Sequence, residues 1–307
     1  MMIKRILDCD ASDFAQMDGR ALVKSIRAAE GRTIVAEVIA ITPPLFPPIS
    51  NAELAASFGA DLILLNMFDV FQPYVAGVPV EEASQTVAQL RRLIGRPIGL
   101  NLEPVDADAE GLEELLSIPK GRRAEKETYE QVKTLGVDFL CLTGNPKTGV
   151  THRSLIQAVR TAREVLGLET MIFAGKMHSA GVSGESGEGI VEASFLKELT
   201  AAGADVVLLP APGTIPGVTV ERTAAWVKIV HAQGALAMLT VGTSQESADP
   251  ETIRSIALMG KMSGADLFHI GDGGPGGVAP PENVMAFSLA IRGRRHTYRR
   301  MAASPLR

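Results

Sequence analysis

The sequence predicts a fold of the α/β class, a single (β/α)8 TIM barrel with an extra helix at its amino-terminal end. Three observations lead to this prediction. Apolar runs typical of buried strands alternate with amphipathic helical patterns, and a motif that joins a helix to a strand recurs four times. No Pro/Gly-rich linker divides the 307 residues, so we expect one domain over residues 1–307, although chains of this length often form two.

The recurring motif is a Gly-Ala-Asp or Gly-Val-Asp triplet that begins at Gly59, Gly136, Gly203 and Gly264. Each triplet follows a helical pattern and opens an apolar run. We expect the glycine to end the helix in the left-handed conformation and the following run to be a strand buried on both faces. The motifs are 77, 67 and 61 residues apart, and this spacing leaves room for one more strand between each pair.

The complete strand assignment follows from these motifs and from the apolar runs between them. The predicted strands cover residues 33–41, 61–68, 97–105, 137–143, 170–176, 205–210, 236–241 and 267–271. Strict alternation of strands and helices requires parallel pairing with right-handed crossovers, and eight such units close into a barrel. An open doubly wound sheet is the alternative, but no Gly-x-Gly-x-x-Gly follows the first strand. Residues 12–31 predict the extra helix, which we expect to plug the bottom of the barrel.

The composition excludes several classes of protein. Apolar residues make up 46% of the chain, too many for a mostly disordered protein, and the net charge of -5 gives no basic field for nucleic acid or an anionic membrane. Cys9 and Cys141 cannot form a disulfide framework, and no apolar stretch is long enough for a membrane span. We therefore expect a cytoplasmic protein that binds neither nucleic acid nor membrane. The arginine-rich segment 292–300 favours a homo-oligomer, since such a basic helix end often pairs with a neighbouring subunit.

Polar residues cluster at the carboxyl ends of the predicted strands, where (β/α)8 barrels carry their active sites. They are Asn66 and Asp69 after the second strand, Asn101 and Glu103 at the third, Thr143 and Asn145 after the fourth, Lys176 and His178 at the fifth, and Thr214 after the sixth. Residues two apart in a strand share a face, so Asn101 should point with Glu103. By the same rule Lys176 should point with His178. We expect Glu103, Lys176 and His178 to surround one hollow at the barrel mouth, together with an aspartate from the last turn.

Lys176, His178 and Glu103 are the catalytic candidates. Lys176 follows Gly175, and a desolvated amine there could serve as a base or as the nucleophile that forms a Schiff base. A cation that binds the substrate and a structural ion pair with Glu103 or another carboxylate are the alternatives. His178 and Glu103 would transfer protons. The Gly/Ser-rich segment 178–189 predicts a mobile loop after the fifth strand, either a lid or a surface loop without a role.

Two glycine-rich turns follow the seventh and eighth strands and predict a site for an anion. Their residues are Gly242, Thr243 and Ser244 in the first turn, and Gly271, Asp272, Gly273 and Gly274 in the second. Glycine turns expose backbone N–H groups, and barrels often bind phosphate at this position. Asp272 is the aspartate expected at the hollow. Its carboxylate would repel phosphate, so it could bind a hydroxyl group or a metal ion instead. Turn formation alone is the alternative interpretation.

The same strand ends contain residue types that bind metal ions. The candidates are Asp69, Glu103, His178, His269 and Asp272, a mixed oxygen and nitrogen set that suits Mg, Mn or Zn. No His-x-x-x-His or Cys-x-x-Cys spacing fixes such a site, and His269 within the eighth strand is better interpreted as a core residue. A divalent cofactor, Mg or Mn, is therefore an open prediction without an assigned set of ligands.

Several motifs carry a resemblance to a known family over nearly the whole chain. They include Asn101-Leu102-Glu103-Pro104, Leu142-Thr143-Gly144-Asn145-Pro146-Lys147, Ala174-Gly175-Lys176-Met177-His178, Pro210-Ala211-Pro212-Gly213-Thr214 and Gly242-Thr243-Ser244-Gln245-Glu246. On these motifs the chain resembles a bacterial family of (β/α)8 barrels labelled phosphoenolpyruvate phosphonomutase-like. The resemblance implies the barrel fold and, by way of phosphonomutases and isocitrate lyases, a site that binds Mg and a phospho- or keto-acid. A more distant similarity to BtpA-type barrels implies a phosphate site late in the chain.

These observations lead to one main functional hypothesis. We expect a lyase or isomerase that acts on a small phosphorylated or carboxylated carbonyl metabolite at the barrel mouth, where the late turns would hold the anion. Asn66, Asn101 and Asn145 would orient substrate hydroxyl groups. Two alternatives stay open: a non-catalytic metabolite-binding or assembly protein, and a hydrolase of phosphoester bonds.

Overall fold

Eight parallel strands pair in sequence order and close into a barrel in the computed structural model, which describes residues 3–307 apart from the side chain of residue 188. The strands are β1 (Thr33–Ile39), β2 (Leu62–Asn66), β3 (Ile98–Leu102), β4 (Phe139–Leu142), β5 (Met171–Gly175), β6 (Val206–Pro210), β7 (Leu236–Val241) and β8 (Leu267–Ile270). The barrel closes where β1 pairs with β8, with Val35 beside His269. The (β/α)8 prediction is confirmed, and each strand lies within its predicted range.

Two helices precede the barrel strands, and one α-helix follows each strand. The helices are α1 (Ala11–Phe14), α2 (Gly19–Arg27), α3 (Asn51–Ser57), α4 (Thr86–Ile94), α5 (Lys126–Leu135), α6 (His152–Leu166), α7 (Ala193–Ala201), α8 (Val220–Ala232), α9 (Pro250–Met262) and α10 (Pro281–Met301). Within residues 3–307, none of the helices has both the length and the apolar sequence needed to cross a membrane.

The extra helix that the sequence predicts over 12–31 is divided in two, which corrects that prediction. Asp18 has an extended backbone between α1 and α2, and its side chain accepts the backbone N–H of Ala21 at 2.7 Å. An aspartate in this position caps the start of a helix because it satisfies an N–H group that has no partner within the helix. The first helix has already ended at Phe14, and the Asp18 cap begins the second.

Alternate strand residues fill the interior of the barrel. Phe139 and Phe173 stack there with their ring centroids 4.7 Å apart, and Gly99 leaves the space that the Phe139 ring occupies. Phe14 of α1 and Leu22 of α2 belong to the same buried apolar cluster as these rings. The two helices therefore plug the bottom of the barrel, as the sequence predicts, and the opposite, carboxyl end forms its mouth.

The aspartates of the four repeated motifs tie the amino-terminal ends of neighbouring strands together. Each carboxylate accepts the backbone N–H of a residue at the start of the preceding strand. The bonds join Ile34 to Asp61 (2.8 Å), Ile98 to Asp138 (2.8 Å), Ile172 to Asp205 (2.9 Å) and Ala237 to Asp266 (2.8 Å). The glycine of each motif has a positive φ, as predicted. We call these four aspartates the aspartate joints.

Each aspartate joint also binds a basic side chain. The pairs are Asp61 with Arg292 (2.5 Å) and Arg300 (2.7 Å), Asp138 with Arg91 (2.8 Å), Asp205 with Arg163 (2.5 Å) and Asp266 with His231 (2.7 Å). Burial raises the pKa of Asp61, but the charges of Arg292 and Arg300 outweigh burial and hold that pKa below its ordinary value. The arginine-rich end of α10 therefore binds its own chain at the bottom of the barrel.

Candidate functional site

A cavity of about 180 Å³ lies inside the mouth of the barrel, at the carboxyl ends of the strands. The predicted site residues that line it are Asn66, Asn101, Thr143, Asn145, His178, Gly242, Ser244, Gly271, Asp272 and Gly274. The other residues of its wall, which the sequence analysis does not single out as site residues, are Glu37, Gly144, Pro146, Met177 and Glu246. The polar strand ends therefore meet where the parallel topology places them.

Three asparagines and Asp272 form a hydrogen-bond network across the cavity wall. Asn66 Nδ2 donates to Asn145 Oδ1 at 2.8 Å and to Asp272 Oδ2 at 3.0 Å. In return, Asn66 Oδ1 accepts from Asn101 Nδ2 at 3.2 Å and from Asn145 Nδ2 at 3.0 Å. Both amide N–H groups of Asn66 are therefore used within the wall, and its bonds fix the orientations of Asn145 and Asp272.

Three buried oxygen atoms of the wall have no hydrogen-bond partner within the described part of the chain. They are Asn101 Oδ1, Thr143 Oγ1 and Glu246 Oε2, on residues that are 3%, 2% and 6% exposed. A buried polar atom without a partner costs about 1–3 kcal/mol. Such atoms are rare in folded proteins unless water or a ligand binds them, and the residues that carry these three line the cavity. The wall therefore offers acceptors to a bound molecule.

Glu37 is the most deeply placed acid of the cavity. It lies on β1, is 4% exposed, and its Oε2 lies 2.9 Å from Nε2 of the fully buried His269 on β8. Burial raises the pKa of Glu37, His269 counteracts this effect, and the charges of Asp272 and Glu246 add to it. Burial and the charge of Asp272 likewise raise the pKa of Glu246. The cavity thus concentrates negative charge.

Sequence reasoning missed Glu37 and Glu246, although a signal for Glu37 was available. A glutamate two residues after Val35 faces the barrel interior, where nearly every other strand residue is apolar. His269 occupies the matching inward position on β8, which pairs with β1. Glu246 carries a weaker signal, because it follows the predicted Gly242 turn on an irregular segment whose direction the sequence does not fix.

His178 lines the cavity as a neutral imidazole. Burial, and after it the charge of Lys176, lowers the pKa of His178 to about 4. Its Nδ1 accepts the backbone N–H of Ala180 at 3.0 Å, which assigns the ring proton to Nε2. A neutral donor is therefore available on this side of the cavity at neutral pH.

Lys176 lies outside the cavity and does not pair with Glu103, contrary to the expected hollow. β5 ends at Gly175, and Met177 faces the barrel interior, so the lysine before it points to the opposite side of the strand. Its Nζ binds the carboxylate of Glu185 and also donates to Ser179 O at 3.3 Å. Burial lowers the pKa of Lys176, and Glu185 opposes this shift.

Glu103 is also absent from the cavity wall, because β3 ends at Leu102 and the alternation of faces does not continue beyond it. One oxygen of this 1% exposed side chain accepts from Arg122 at 2.6 Å, and the other accepts the backbone N–H of Asn145 at 2.8 Å. Glu103 therefore lies outside the cavity wall and holds the backbone of Asn145, which lines the cavity.

The loop 178–189 is tied to α6 through Glu185. Both carboxylate oxygens of Glu185 accept the backbone N–H of His152, at 3.1 and 3.0 Å, in addition to binding Lys176. The His152 ring stacks on Phe195 of α7 with centroids 3.9 Å apart. These contacts describe a loop with defined anchors, while its predicted mobility stays a prediction.

The remaining predicted site residues shape loops outside the cavity. Asp69 accepts the backbone N–H of Phe71 at 2.8 Å, which forms a turn. Thr214 Oγ1 donates to Ala211 O at 2.7 Å, and Thr243 Oγ1 donates to Thr214 O at 2.8 Å. Gly273 has a φ of 66° and lies within the last turn.

Three N–H groups of the segment after β8 donate within the chain. Gly274 N donates to Asp272 Oδ1 at 2.9 Å, Gly271 N donates to Val241 O at 2.8 Å, and Gly277 N donates to Gly274 O at 2.9 Å. These donors are the groups that an anion at this turn would need. A phosphate site here stays a prediction.

The predicted Mg or Mn does not fit the side chains of this site. In residues 3–307, no group of three or more His, Cys, Asp or Glu side chains is arranged to hold a metal ion. Among the metal candidates, Asp69 and Glu103 lie away from the cavity, and His269 is bound to Glu37.

A second cavity of about 320 Å³ adjoins the first. The two share Pro146, His178, Gly242 and Ser244. Lys147 lines the outer cavity, and its Nζ binds Glu113 at 2.6 Å. The two cavities therefore adjoin, and His178 lies at their boundary.

Solved structures with similar folds include two enzymes that share 14% sequence identity with this chain. An archaeal fructose 1,6-bisphosphate aldolase has a TM-score of 0.55 and is matched over 87% of this chain and 96% of its own. A 2,3-dimethylmalate lyase of the PEP mutase/isocitrate lyase superfamily has a TM-score of 0.50, over 85% of this chain and 83% of its own. At this identity the similarity shows the barrel fold.

Sequence comparison identifies a family. No curated protein matches the chain. A family model described as Domain of unknown function (DUF7916) matches residues 7–307, which is nearly the whole length. The long motifs quoted above thus reflect membership of one family, and the chain belongs to the DUF7916 family.

Proposed function

We propose that the inner cavity is the active site of a lyase or isomerase that makes or breaks a bond beside a carbonyl group. The observation that carries this proposal is the pairing of Glu37 with His269 at the cavity wall. A buried carboxylate with a raised pKa is a stronger base than an exposed one, and such groups concentrate in active sites. The lyase and the aldolase with similar folds support the coarse reaction class.

Glu37 is the general base in this proposal. In a lyase reaction of the retro-aldol type it takes the proton of a hydroxyl group, that oxygen forms a new carbonyl, and the adjacent carbon–carbon bond breaks to leave an enolate. In an isomerase it takes the proton from the carbon beside the carbonyl, which gives an enolate directly. In both cases the protonated Glu37 returns its proton to the enolate.

His178 donates a hydrogen bond to the oxygen of the enolate. Its neutral ring carries the proton on Nε2, so it can stabilise negative charge on an oxygen without being a strong acid. The pKa of about 4 keeps it neutral over the whole range in which Glu37 acts as a base. A neutral donor of this kind suits a reaction whose negative charge is transient.

Lys176 and Glu103 are positioning residues in this proposal. Glu103 fixes the backbone of Asn145, and Lys176 holds the loop through Glu185. A Schiff base would require Lys176 to leave its ion pair and turn into the cavity. We therefore expect borohydride treatment with carbonyl metabolites to leave Lys176 unmodified.

The test is a turnover assay with a panel of small hydroxy-aldehydes, hydroxy-ketones and hydroxy-acids, followed by NMR. We expect at least one compound to be converted, and Glu37→Gln to reduce the rate by about 100-fold or more. Glu82→Gln, on an exposed residue between β2 and α4, is the matched control. Equal rates for the wild type and Glu37→Gln would refute the assignment of the base, and binding without turnover would favour the metabolite-binding alternative.

A further inference from the structure

The charge of the inner cavity bears on the substrate. Its charged side chains are Glu37, Glu246 and Asp272, and neither Lys nor Arg lines it among the residues that the structure describes. Three cations beside the cavity are bound to carboxylates elsewhere: Lys176 to Glu185, Arg122 to Glu103, and Lys147 of the adjoining cavity to Glu113. An anionic substrate would meet carboxylates here without a side-chain cation to offset them.

The hydrogen-bonding groups of the wall show the same bias. Asn101 Oδ1 and Glu246 Oε2 are buried acceptors without a partner in residues 3–307, and Thr143 Oγ1 can accept as well as donate. The amide N–H groups of Asn66 are already used within the wall. A ligand that supplies donors would satisfy these acceptors.

From these two observations we propose that the inner cavity binds the protonated amine of a small metabolite that also carries hydroxyl or carbonyl groups. A primary ammonium has three N–H donors and one positive charge, and both suit a wall that carries carboxylates and acceptors without partners in residues 3–307. It also offsets the repulsion among the three carboxylates. The proposal deepens the proposed function by naming the substrate class, but its binding step does not depend on turnover.

An ammonium group suits the wall better than a divalent metal ion. Mg binds oxygen ligands in a near-ideal octahedron, and no acidic or histidine cluster in the described chain has an arrangement that would hold it. The three partnerless oxygens instead belong to an amide, a hydroxyl and a carboxylate. Oxygens of all three kinds accept hydrogen bonds from an amine.

Saturation-transfer NMR on the full chain tests the proposal with matched probes that differ in one group. The amines are ethanolamine, 2-amino-1,3-propanediol and glucosamine; the neutral partners are ethylene glycol, glycerol and glucose; glycerate is the anion. We expect at least one amine to bind about tenfold or more tighter than its neutral partner, since a charged hydrogen bond is worth about 1.5–3 kcal/mol. Glycerate should give no signal.

Variants locate the binding and separate it from folding. We expect Glu246→Gln to weaken amine binding about 10-fold or more and Glu82→Gln to leave it unchanged. Thr143→Val, which removes one acceptor and little else, should weaken it less and serves if Glu246→Gln does not fold. A parallel titration with MgCl2 alone, read by protein NMR, examines the metal.

Four results overturn the proposal: no binding by any amine, equal binding by the neutral partners, preference for glycerate, or Mg binding at the cavity in place of the amines. Amine binding without turnover in the enzyme assay would keep this proposal and remove the proposed reaction. The reverse result, turnover of an anionic compound only, would keep the reaction and remove this substrate class.

Discussion

At the bottom of the barrel, Asp61 accepts bonds from one backbone N–H and two guanidinium groups. At the mouth, Glu246 has a carboxylate oxygen with no partner in residues 3–307, and its nearest charged neighbours include another acid, Asp272. Both side chains are buried in the same fold. Burial alone therefore does not distinguish a structural acid from a functional one. The distinction lies in whether hydrogen-bond donors and positive charges of the protein bind the carboxylate.

The difference extends to the energetics of the two ends. The charge partners of Asp61 lower its pKa, so the folded state gains from its ionised form. The surroundings of Glu37 and Glu246 raise their pKa values, so ionisation of these groups costs folding free energy. We interpret the mouth as a region that gives up stability for binding, which is common at functional sites.

The largest expected effect comes from breaking the best-satisfied joint. Asp61→Asn leaves the buried guanidinium groups of Arg292 and Arg300 without a counter-charge. Removing one partner of a buried ion pair costs about 3–5 kcal/mol. Urea denaturation followed by circular dichroism should show a loss of this size, and a loss below about 1 kcal/mol would contradict the role assigned to the joint.

The fold could be predicted from the sequence because its signals are local. Each Gly-Ala-Asp or Gly-Val-Asp motif combines a helix end with a strand start, and the alternation of strands and helices then dictates a parallel barrel. What the sequence did not indicate is why the aspartate recurs. Its function in joining Asp61 to Ile34, for example, depends on a residue 27 positions away.

The candidate site was predictable in position but not in detail. Parallel strands bring their carboxyl ends together, which placed Asn66, Asn101 and Asp272 correctly on one cavity. The predicted orientation of Glu103 was wrong because the residue lies past the end of β3, where the faces no longer alternate. Lys176 follows β5 and points away from the cavity because Met177 takes the inward position. Glu185, the partner of Lys176, lies on a loop whose path no periodic pattern fixes.

The second prediction concerns Lys176. Its charge is paired with Glu185, although it lies beside the barrel mouth, where buried oxygen atoms lack partners within residues 3–307. Lys176→Met removes the partner of Glu185 and should cost about 2 kcal/mol, less than the Asp61 change because Glu185 keeps its bonds to His152. Loss of this ion pair should also make the segment 178–189 more sensitive to limited proteolysis by an endoproteinase that cleaves after glutamate.

Two comparisons make the Lys176 experiment decisive. Lys197→Met, on an exposed position of α7, is the control for loss of a lysine. Unchanged proteolysis in Lys176→Met would show that the ion pair does not hold the loop. A borohydride adduct on Lys176 in the wild type would show that this lysine forms a Schiff base, and it would contradict the assignment of Lys176 as a positioning residue.

The third prediction is a gain in folding stability, in contrast to the loss expected for Asp61→Asn. Glu246→Gln removes a charge that the folded state disfavours, so the ligand-free protein should become more stable, by about 1 kcal/mol at neutral pH. The pKa of Glu246 is raised in the folded state, which therefore binds more protons than the unfolded state just above the usual glutamate pKa of about 4.3. The wild type thus loses stability as the pH rises through that range, and the variant should lose less.

The pH dependence is the sharper measurement for Glu246. Urea midpoints at pH 4 to pH 8, taken for both proteins, should diverge as the pH increases. A constant difference over this range would mean that the substitution acts through packing rather than through charge.

The smallest expected effect belongs to Asp266, the joint that pairs with a half-exposed histidine. In Asp266→Asn the amide oxygen can still accept the backbone N–H of Ala237, and only the pair with the 42% exposed His231 is lost. Exposed ion pairs contribute about 0–1 kcal/mol, so we expect a destabilisation of about 0.5 kcal/mol in the same urea assay. The ratio between this loss and the loss in Asp61→Asn measures how much of a joint's stability comes from buried charge, because both variants keep an acceptor for the backbone. Similar losses at the two joints would assign the stability to the backbone hydrogen bond and would remove charge pairing as the feature that separates the bottom of the barrel from its mouth.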